Sequence, residues 1–241
     1  MKAFRNRTNE AELMEDATLA PETLNAVLRD VSLANRLLGG DRITHNAVLR
    51  ILRKDPAKEY SIMDVGCGEG TMLRQLALIC RKNKYKVKFT GLDINRAAIK
   101  LAETYSMDFP EIKYHAGDLL QDDLEELVSD IVLCTLTLHH IPSPQIPQFL
   151  EKLTNEARIA VIVNDLQRSP WAYYLFKIFS AIFIKTKIAR HDGLVSVKRG
   201  FRRKELFAFS SQVPEYYPKV KWKWAFRYLL ILAPSKSIDH E

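Results

Sequence analysis

The sequence predicts a doubly wound α/β fold built on a mostly parallel, seven-stranded sheet. Over residues 60–165, short apolar segments of strand length alternate with amphipathic segments of helix length, which is the pattern of βαβ crossovers. A glycine-rich turn follows the first of these strands, and polar residues stand at the ends of the later ones. The 241 residues, 47% of them apolar, are enough for one large core.

The segment before the first strand is predicted to be helical. Apolar residues recur at helical spacing over residues 21–38, and a second helix is expected over 43–53. We therefore expect an N-terminal helical cap over residues 1–58 and an α/β domain over 59–241.

The other elements follow in chain order. Strands are expected up to residue 65 and then over 86–93, 112–115, 130–135 and 158–165. Helices are expected over 71–82, 97–105, 123–127 and 146–154. Beyond residue 165 the alternation stops, and we expect helices over 171–184 and 201–211 and final strands over 217–224 and 226–233.

The turn at residues 66–70 indicates a ligand that approaches the backbone closely. Its three glycines, Gly66, Gly68 and Gly70, remove the Cβ atoms that would keep a ligand away. The third glycine comes one residue earlier than in the G-x-G-x-x-G turn of dinucleotide folds. Because Asp64 precedes the turn, a ligand with a positive amine or sulfonium suits it better than a pyrophosphate.

Two further acids stand at expected strand ends. Asp93 follows Gly68 by 25 residues, about where an acid binds the two hydroxyls of a ribose. Asp118 could accept a hydrogen bond from an adenine amine, or it could cap a short helix. Two histidines, His139 and His140, follow the strand that ends near Thr135.

Taken together, these motifs resemble the class I S-adenosylmethionine-dependent methyltransferases over about residues 60–165. The motifs are Asp64 with the three alternate glycines, Asp93, the Gly117-Asp118 pair and the segment Leu138-His139-His140-Ile141-Pro142. The resemblance implies a Rossmann-like methyltransferase fold with S-adenosylmethionine as methyl donor.

The resemblance also implies roles for single residues. Asp64 and the 66–70 loop, with Cys67, would hold the methionine part, and Asp93 would hold the ribose. The adenine would lie against Ile94, Asp118 and Leu119, and Thr135 completes the expected cofactor-binding set.

Flanking segments give a narrower resemblance, to bacterial small-molecule methyltransferases related to the quinone and polyketide O-methyltransferases. These segments are 35–40, 164–168 and 190–203. They imply a small lipophilic acceptor such as a phenol, quinone precursor or polyketide. The residues expected to contact it are Asn35, Arg36, His139, Asp165, Arg168, Tyr173 and Arg190.

Transfer to a hydroxyl calls for a base, and a histidine suits that task at neutral pH. His140 is the first candidate, because adjacent residues of an extended chain point to opposite sides and His140 is nearer the acceptor side. His191, between Arg190 and Asp192, is the rival. Either histidine could instead have a structural role or none. No metal is expected, since Thr135 and Leu136 stand where catechol-type relatives carry magnesium-binding carboxylates.

Residues 171–184 are nearly all apolar and form part of an expected insert over about 168–200. Fourteen residues are too few to cross a bilayer as a helix. Three interpretations stay open: a lid over the acceptor, peripheral membrane contact through residues 171–190, and core packing or a homodimer contact.

Charge is unevenly distributed along the chain. Residues 1–165 hold 21 basic and 24 acidic residues, whereas 166–241 hold 15 and 5. A basic region can bind nucleic acid or anionic lipid. Base methyltransferases, however, carry an Asn/Asp-Pro-Pro-aromatic segment that residues 135–138 lack, so a nucleic-acid methyltransferase is the second hypothesis. A non-catalytic binding protein is the third.

The N-terminus carries no apolar signal segment, and the three cysteines show no zinc spacing. We expect a cytoplasmic protein, with contact to the inner face of the membrane as an open alternative.

Overall fold

The structure is a computed structural model that describes residues 4–16, 18–122 and 127–234. The short helix expected at 123–127 falls almost wholly outside these ranges.

Seven strands form one sheet, as predicted. In the order β3-β2-β1-β4-β5-β7-β6, all neighbours are parallel except those of β7, which runs antiparallel to both β5 and β6. The strands are β1 (Glu59–Val65), β2 (Lys86–Asp93), β3 (Ile112–Ala116), β4 (Ser129–Thr135), β5 (Ala157–Leu166), β6 (Tyr216–Lys223) and β7 (Arg227–Pro234).

Eight α-helices lie in the described ranges. They are α1 (Pro21–Leu37), α2 (Gly40–Leu52), α3 (Thr71–Lys82), α4 (Arg96–Tyr105), α5 (Ile146–Asn155), α6 (Pro170–Phe183), α7 (Lys187–Arg199) and α8 (Arg203–Ser210). Seven of them are the helices that the apolar spacing predicts.

Helix α7 was not predicted, and its packing explains why. Gly193 interrupts its sequence, yet a Cβ at this position would lie 2.3 Å from the Phe176 ring. The glycine therefore lets α7 pack closely on α6, and tertiary contact overrides the low helix propensity of glycine.

The core has one layer on each face of the sheet. On β4, Ile131 and Leu133 face the layer that includes α3, and Val132 and Cys134 face the layer that includes α5. All four side chains are fully buried, as expected for a central parallel strand covered on both faces. The chain reverses its winding direction between β1 and β4, so a crevice opens at the carboxyl ends of these strands.

Residues 4–16, here called the N-terminal strap, cross this carboxyl edge. The Arg7 guanidinium donates hydrogen bonds to the carbonyls of His139 (2.6 Å), Ile141 (3.1 Å) and Arg199 (2.7 Å). The carboxylate of Asp192 on α7 accepts from the backbone N–H groups of strap residues 13 and 14 at 2.8 and 2.9 Å. The strap is therefore fixed over the crevice at both of its ends.

Helix α1 completes the cover. Val27 of α1 packs with Ile184 and Ala189, and the Asp30 carboxylate accepts from the backbone N–H groups of Lys185 and Thr186. The N-terminal helices and the insert after β5 thus meet each other above the sheet edge.

Candidate functional site

A cavity of about 1400 Å³ lies at the carboxyl ends of β1, β2 and β4. The glycine-rich turn forms its floor. In that turn, Gly66 has a φ of +76°, and a Cβ there would lie 2.2 Å from the Thr137 hydroxyl. The backbone N–H groups of Gly66 and Cys67 donate to the carbonyl of Leu92 at 2.8 and 3.1 Å, which ties the turn to the end of β2.

Asp93 links the same two elements through its side chain. One carboxylate oxygen accepts from the Gly68 N–H at 2.8 Å and the other from the Asn95 N–H at 2.9 Å. Each oxygen keeps a second lone pair, and the side chain lines the cavity. This arrangement leaves a fixed, bidentate acceptor at the end of β2.

Asp64 is a buried acid without a cationic partner among the described residues. Its Oδ1 atom has no hydrogen-bond partner there, and burial together with the charge of Asp93 raises its pKa to about 8. A buried carboxyl in this state is stabilised by a bound cation. The ammonium group of a methionine moiety fits that requirement.

The cavity brings together all the predicted cofactor-binding residues except Gly70. Those at its wall are Asp64, Gly66, Cys67, Gly68, Asp93, Ile94, Asp118, Leu119 and Thr135. Ile94 is 74% exposed and forms the outer rim. Gly70 instead lies under the Tyr114 ring, where a Cβ would be 2.1 Å from the phenol oxygen. Its role is to admit that tyrosine.

A second cavity, of about 350 Å³, lies between α1, α6 and α7. We call it the acceptor cavity and the larger one the cofactor cavity. The acceptor cavity has mostly apolar walls, including Leu175, Phe176 and Phe179 of α6. The two cavities share five wall residues: Met14, Val31, Asn35, Leu136 and His140.

The two adjacent histidines lie at this shared wall, but not as the sequence suggested. Residues Leu138–His140 form a 3₁₀ turn, so the rings do not point to opposite sides. Their centroids are 4.2 Å apart. The expectation that the two side chains point to opposite sides was therefore wrong, because it assumed an extended chain.

Each histidine is oriented by a carboxylate on its Nδ1 atom. His139 Nδ1 lies 2.8 Å from Asp165, and His140 Nδ1 lies 2.6 Å from Glu15. Glu12 approaches both from the other side, with its carboxylate oxygens 3.5 Å from His139 Nε2 and 4.0 Å from His140 Nε2. We call Glu12, His139 and His140 the strap–histidine cluster.

The carboxylates around His139 decide its charge. Burial lowers the pKa of this imidazole, but Asp165 and Glu12 outweigh burial and raise the pKa to about 9. The pKa values of Asp165 and Glu12 are lowered in turn, chiefly by His139, against the opposing effect of burial. His139 is therefore a cation at neutral pH when the chain alone surrounds it.

His191, the rival base, lies outside both cavities. Its side chain is 44% exposed, with Nδ1 3.0 Å from Asp192 and Nε2 3.5 Å from Glu10. Asp192 uses the same carboxylate to hold the strap, so it does not orient His191 toward an acceptor. The structure thus corrects the expectation that His191 is placed for catalysis.

Several expected acceptor contacts also belong to the framework. The Arg168 guanidinium is buried and donates to the carbonyls of Phe4 and Gly200. Arg190 donates to the carbonyl of Ile184, Tyr173 packs on the Phe4 ring, and Arg36 is exposed at the end of α1. Asp165 lies behind His139 without reaching the cavity wall. Asn35 and His139 do line the acceptor cavity.

Sequence reasoning missed Glu12, Met14 and Glu15. All three stand before the first helix, and Glu12 and Glu15 lie more than 120 positions from the histidines they approach. Spacing between motifs carries no signal for such a contact. The only sign of it in the sequence is the group of acids at positions 10, 12 and 15.

Comparison with known proteins agrees with this geometry. Residues 62–160 match the family model of a methyltransferase domain. None of the curated proteins matches the chain in sequence. The chain is similar in structure to many solved proteins, each of the following three at low sequence identity.

The first is the plantazolicin methyltransferase in complex with a triazolic desmethylPZN analog and SAH, with a TM-score of 0.68, 12% identity and 97% of each chain covered. The second is the magnesium protoporphyrin IX methyltransferase of Synechocystis PCC 6803 with bound SAH. Its TM-score is 0.56 and its sequence identity 16%, with 82% of this chain and 84% of that chain covered. The third is the CMeT domain of the citrinin polyketide synthase. Its TM-score is 0.53 and its sequence identity 12%, with 73% of this chain and 46% of that chain covered.

These likenesses show a shared fold, and the family match places a methyltransferase domain within it. The predicted Rossmann-like methyltransferase fold with a mostly parallel seven-stranded sheet is confirmed, and residues 62–160 match a methyltransferase domain. None of the described helices is long and apolar enough to cross a bilayer.

Proposed function

We propose that this methyltransferase acts on a hydroxyl group of a small lipophilic acceptor, such as a phenol, quinone precursor or polyketide. One observation carries the proposal: His140 stands in the wall shared by the cofactor cavity and the acceptor cavity. A methyl donor on one side and a hydroxyl on the other would meet at this wall. Placement of this kind can account for roughly 7–11 kcal/mol of the barrier.

The donor side fits S-adenosylmethionine. When bound, this group supplies a methyl on a positively charged sulfur, open to in-line attack. Asp64 would pair with its ammonium group, Asp93 would accept from its ribose hydroxyls, and the turn at 66–68 allows close approach. Ile94, Asp118 and Leu119 would border the adenine.

The acceptor side fits a small aromatic molecule. A volume of about 350 Å³ is at the lower end of ligand pockets, and a group of neighbouring polar side chains, Glu12, His139 and His140, interrupts the mostly apolar walls. Because His140 Nδ1 is bound to Glu15, its Nε2, 4.0 Å from the nearest Glu12 oxygen, would accept the proton of a hydroxyl. The His139 cation beside it would stabilise the negative oxygen that forms.

The proposal also supplies a route for the acceptor. Leu175 and Trp224 line the acceptor cavity and are also exposed, Trp224 by 67%. They continue into an exposed apolar stripe on α6, at Trp171, Tyr174, Ile178 and Ile182. Lys177 and Lys185 flank the stripe. We propose that it contacts an anionic membrane surface, from which a lipophilic acceptor enters.

The test compares His140→Ala with His191→Ala, two histidines that are both bound to carboxylates. Methyl transfer from labelled S-adenosylmethionine to a lipophilic phenol is measured by mass spectrometry, with SAH affinity as the check on folding. We expect His140→Ala to lower kcat at least tenfold and His191→Ala to leave it unchanged. Equal rates in the wild-type protein and both variants would refute the role of His140 in methyl transfer.

A further inference from the structure

We propose that the strap–histidine cluster, Glu12, His139 and His140, binds a divalent zinc ion at the junction of the two cavities. The inference rests on the proposed function, because the ion would act on the same acceptor hydroxyl. It departs from the sequence-based expectation that no metal is bound.

The three side chains already converge. Their ligand atoms all lie within 4.8 Å of one another, with Glu12 oxygens 3.5 Å from His139 Nε2 and 4.0 Å from His140 Nε2. Zinc binds imidazole nitrogen and carboxylate oxygen at about 2.0–2.2 Å in a tetrahedron, which sets neighbouring ligand atoms roughly 3.3 Å apart. Small rotations of these side chains would close the difference.

The orientation of both rings is that of metal-binding histidines. Carboxylates hold Nδ1 of each ring, Asp165 for His139 at 2.8 Å and Glu15 for His140 at 2.6 Å. With the Nδ1 proton of each ring directed to a carboxylate, zinc would displace the Nε2 proton of the His139 cation, and each Nε2 would then bind the ion through its lone pair. A carboxylate behind each histidine ligand is the usual support of a zinc site.

A second, independent observation is a buried nitrogen without a hydrogen bond. The His139 side chain is 2% exposed, and its Nε2 makes no well-formed hydrogen bond with any described residue; the Glu12 carboxylate, 3.5 Å away, pairs with it only as an ion. Buried polar atoms are almost always satisfied, so this atom calls for a ligand. Glu12 is equally buried, and its Oε1 is held by the Ser196 hydroxyl at 2.7 Å.

The donor set selects the kind of ion. Two imidazoles and one carboxylate suit zinc, whereas magnesium prefers oxygen ligands alone. The cluster therefore differs from the carboxylate-rich site of catechol-type methyltransferases. Three protein ligands leave one position, and all three residues line the acceptor cavity, so this position faces the acceptor.

The ion would activate the acceptor directly. Coordination lowers the pKa of the acceptor hydroxyl, so its proton leaves to solvent. The oxygen then forms a bond to the methyl carbon as the carbon–sulfur bond breaks, and that electron pair stays on sulfur, giving SAH and the methyl ether. His140 would then act as a ligand of zinc and not as the base.

The experiment uses the full-length chain, stripped with a chelator and titrated with Co²⁺. We expect one Co²⁺ per chain, a visible absorption band of tetrahedral cobalt, and loss of that band on addition of equimolar Zn²⁺. Glu12→Gln and His140→Ala should lose the band. His191→Ala, the matched control with its own flanking carboxylates, should keep it.

Absence of the cobalt band in the wild-type protein would overturn the zinc site, and this outcome does not depend on the folding of any variant. Persistence of the band in Glu12→Gln would overturn it as well. X-ray absorption of the zinc-loaded chain gives a second measurement. We expect two imidazole ligands on zinc, and a spectrum without imidazole ligands would contradict the proposed site.

Two further outcomes separate this inference from the proposed function. If the stripped protein transfers methyl at an unchanged rate, the zinc inference fails and the methyltransferase proposal stands. If the cobalt band appears but no lipophilic phenol is methylated, the metal site stands and the acceptor proposal fails.

Discussion

The two cavities differ in how the chain builds them. Most wall residues of the cofactor cavity come from residues 64–149, at the ends of β1 to β4 and in the segments that follow them, while the strap and α1 cover one side. The acceptor cavity combines the N-terminal strap, α1, a 3₁₀ turn after β4, and the insert α6–α7. A parallel sheet brings the first set together by topology alone, whereas the second set depends on side-chain contacts between distant segments.

The same contrast appears in the polar groups. Asp93 binds backbone N–H groups of the turn that it serves, so its position follows from local geometry. His140 depends on Glu15, and the strap that carries Glu15 depends on Arg7 and Asp192. The donor side is therefore positioned by secondary structure, and the acceptor side by long-range side-chain contacts of the strap.

The largest effect is expected from Asp64→Ala. Loss of the buried Asp64 carboxylate, which would pair with the ammonium group, should raise the dissociation constant of SAH at least 100-fold, about 2.8 kcal/mol. Calorimetry checks this, with Asp118→Ala at the cavity rim as the comparison, for which we expect a few-fold change. Equal losses in both variants would mean that the donor side has no dominant anchor.

The pH dependence of donor binding is expected to be smaller, about tenfold per pH unit. Because the pKa of Asp64 in the folded chain is raised to about 8, its carboxyl holds a proton below that pH. Pairing with an ammonium group requires that proton to leave, so affinity for SAH should fall as pH drops from 8 to 6. Calorimetry on Asp64→Asn should show a flat profile over this range, and a sloping one would assign the titration elsewhere.

On the acceptor side, Arg7→Ala should lower kcat about tenfold and leave SAH affinity within about twofold. Arg7 touches neither cavity wall, but its three hydrogen bonds hold the strap on residues 139–141 and 199. Hydrogen exchange in residues 4–16 should rise in parallel. A loss of SAH affinity as large as the loss in kcat would contradict the separation between the two sides.

The smallest effect is expected from the exposed stripe of α6. Ile178→Glu should weaken binding to anionic vesicles about fivefold, because an apolar side chain that is 63% exposed would no longer enter the headgroup region. Leu78→Glu makes the same change at a 55% exposed leucine on α3. If both variants bound the vesicles equally well, the proposal that α6 contacts the membrane would be wrong.

Much of the fold and of the donor side could be predicted from the sequence, because the signals there are local. Each of these signals determines structure within a few residues of its own position in the sequence, as the glycines at 66–70, Asp93 and the strand periodicity do. Gly193 shows the limit: it breaks a helical pattern in the sequence yet serves the packing of α7 on Phe176.

The acceptor side could not be predicted in the same way. The sequence identified His139 and His140 but not their geometry, since a 3₁₀ turn and an extended segment have no distinct periodicity over three residues. Arg168 looked like a substrate contact because a buried arginine and a binding arginine share the same sequence pattern. Glu12 and Glu15 reach the site by a long-range contact that no spacing encodes.

The most direct test of the two-cavity account is a crystal structure with SAH and a lipophilic phenol bound together. The account predicts SAH between Asp64 and Asp93, and the phenol oxygen beside His140 on the acceptor side of the shared wall. A phenol bound away from that wall, with SAH in place, would contradict it.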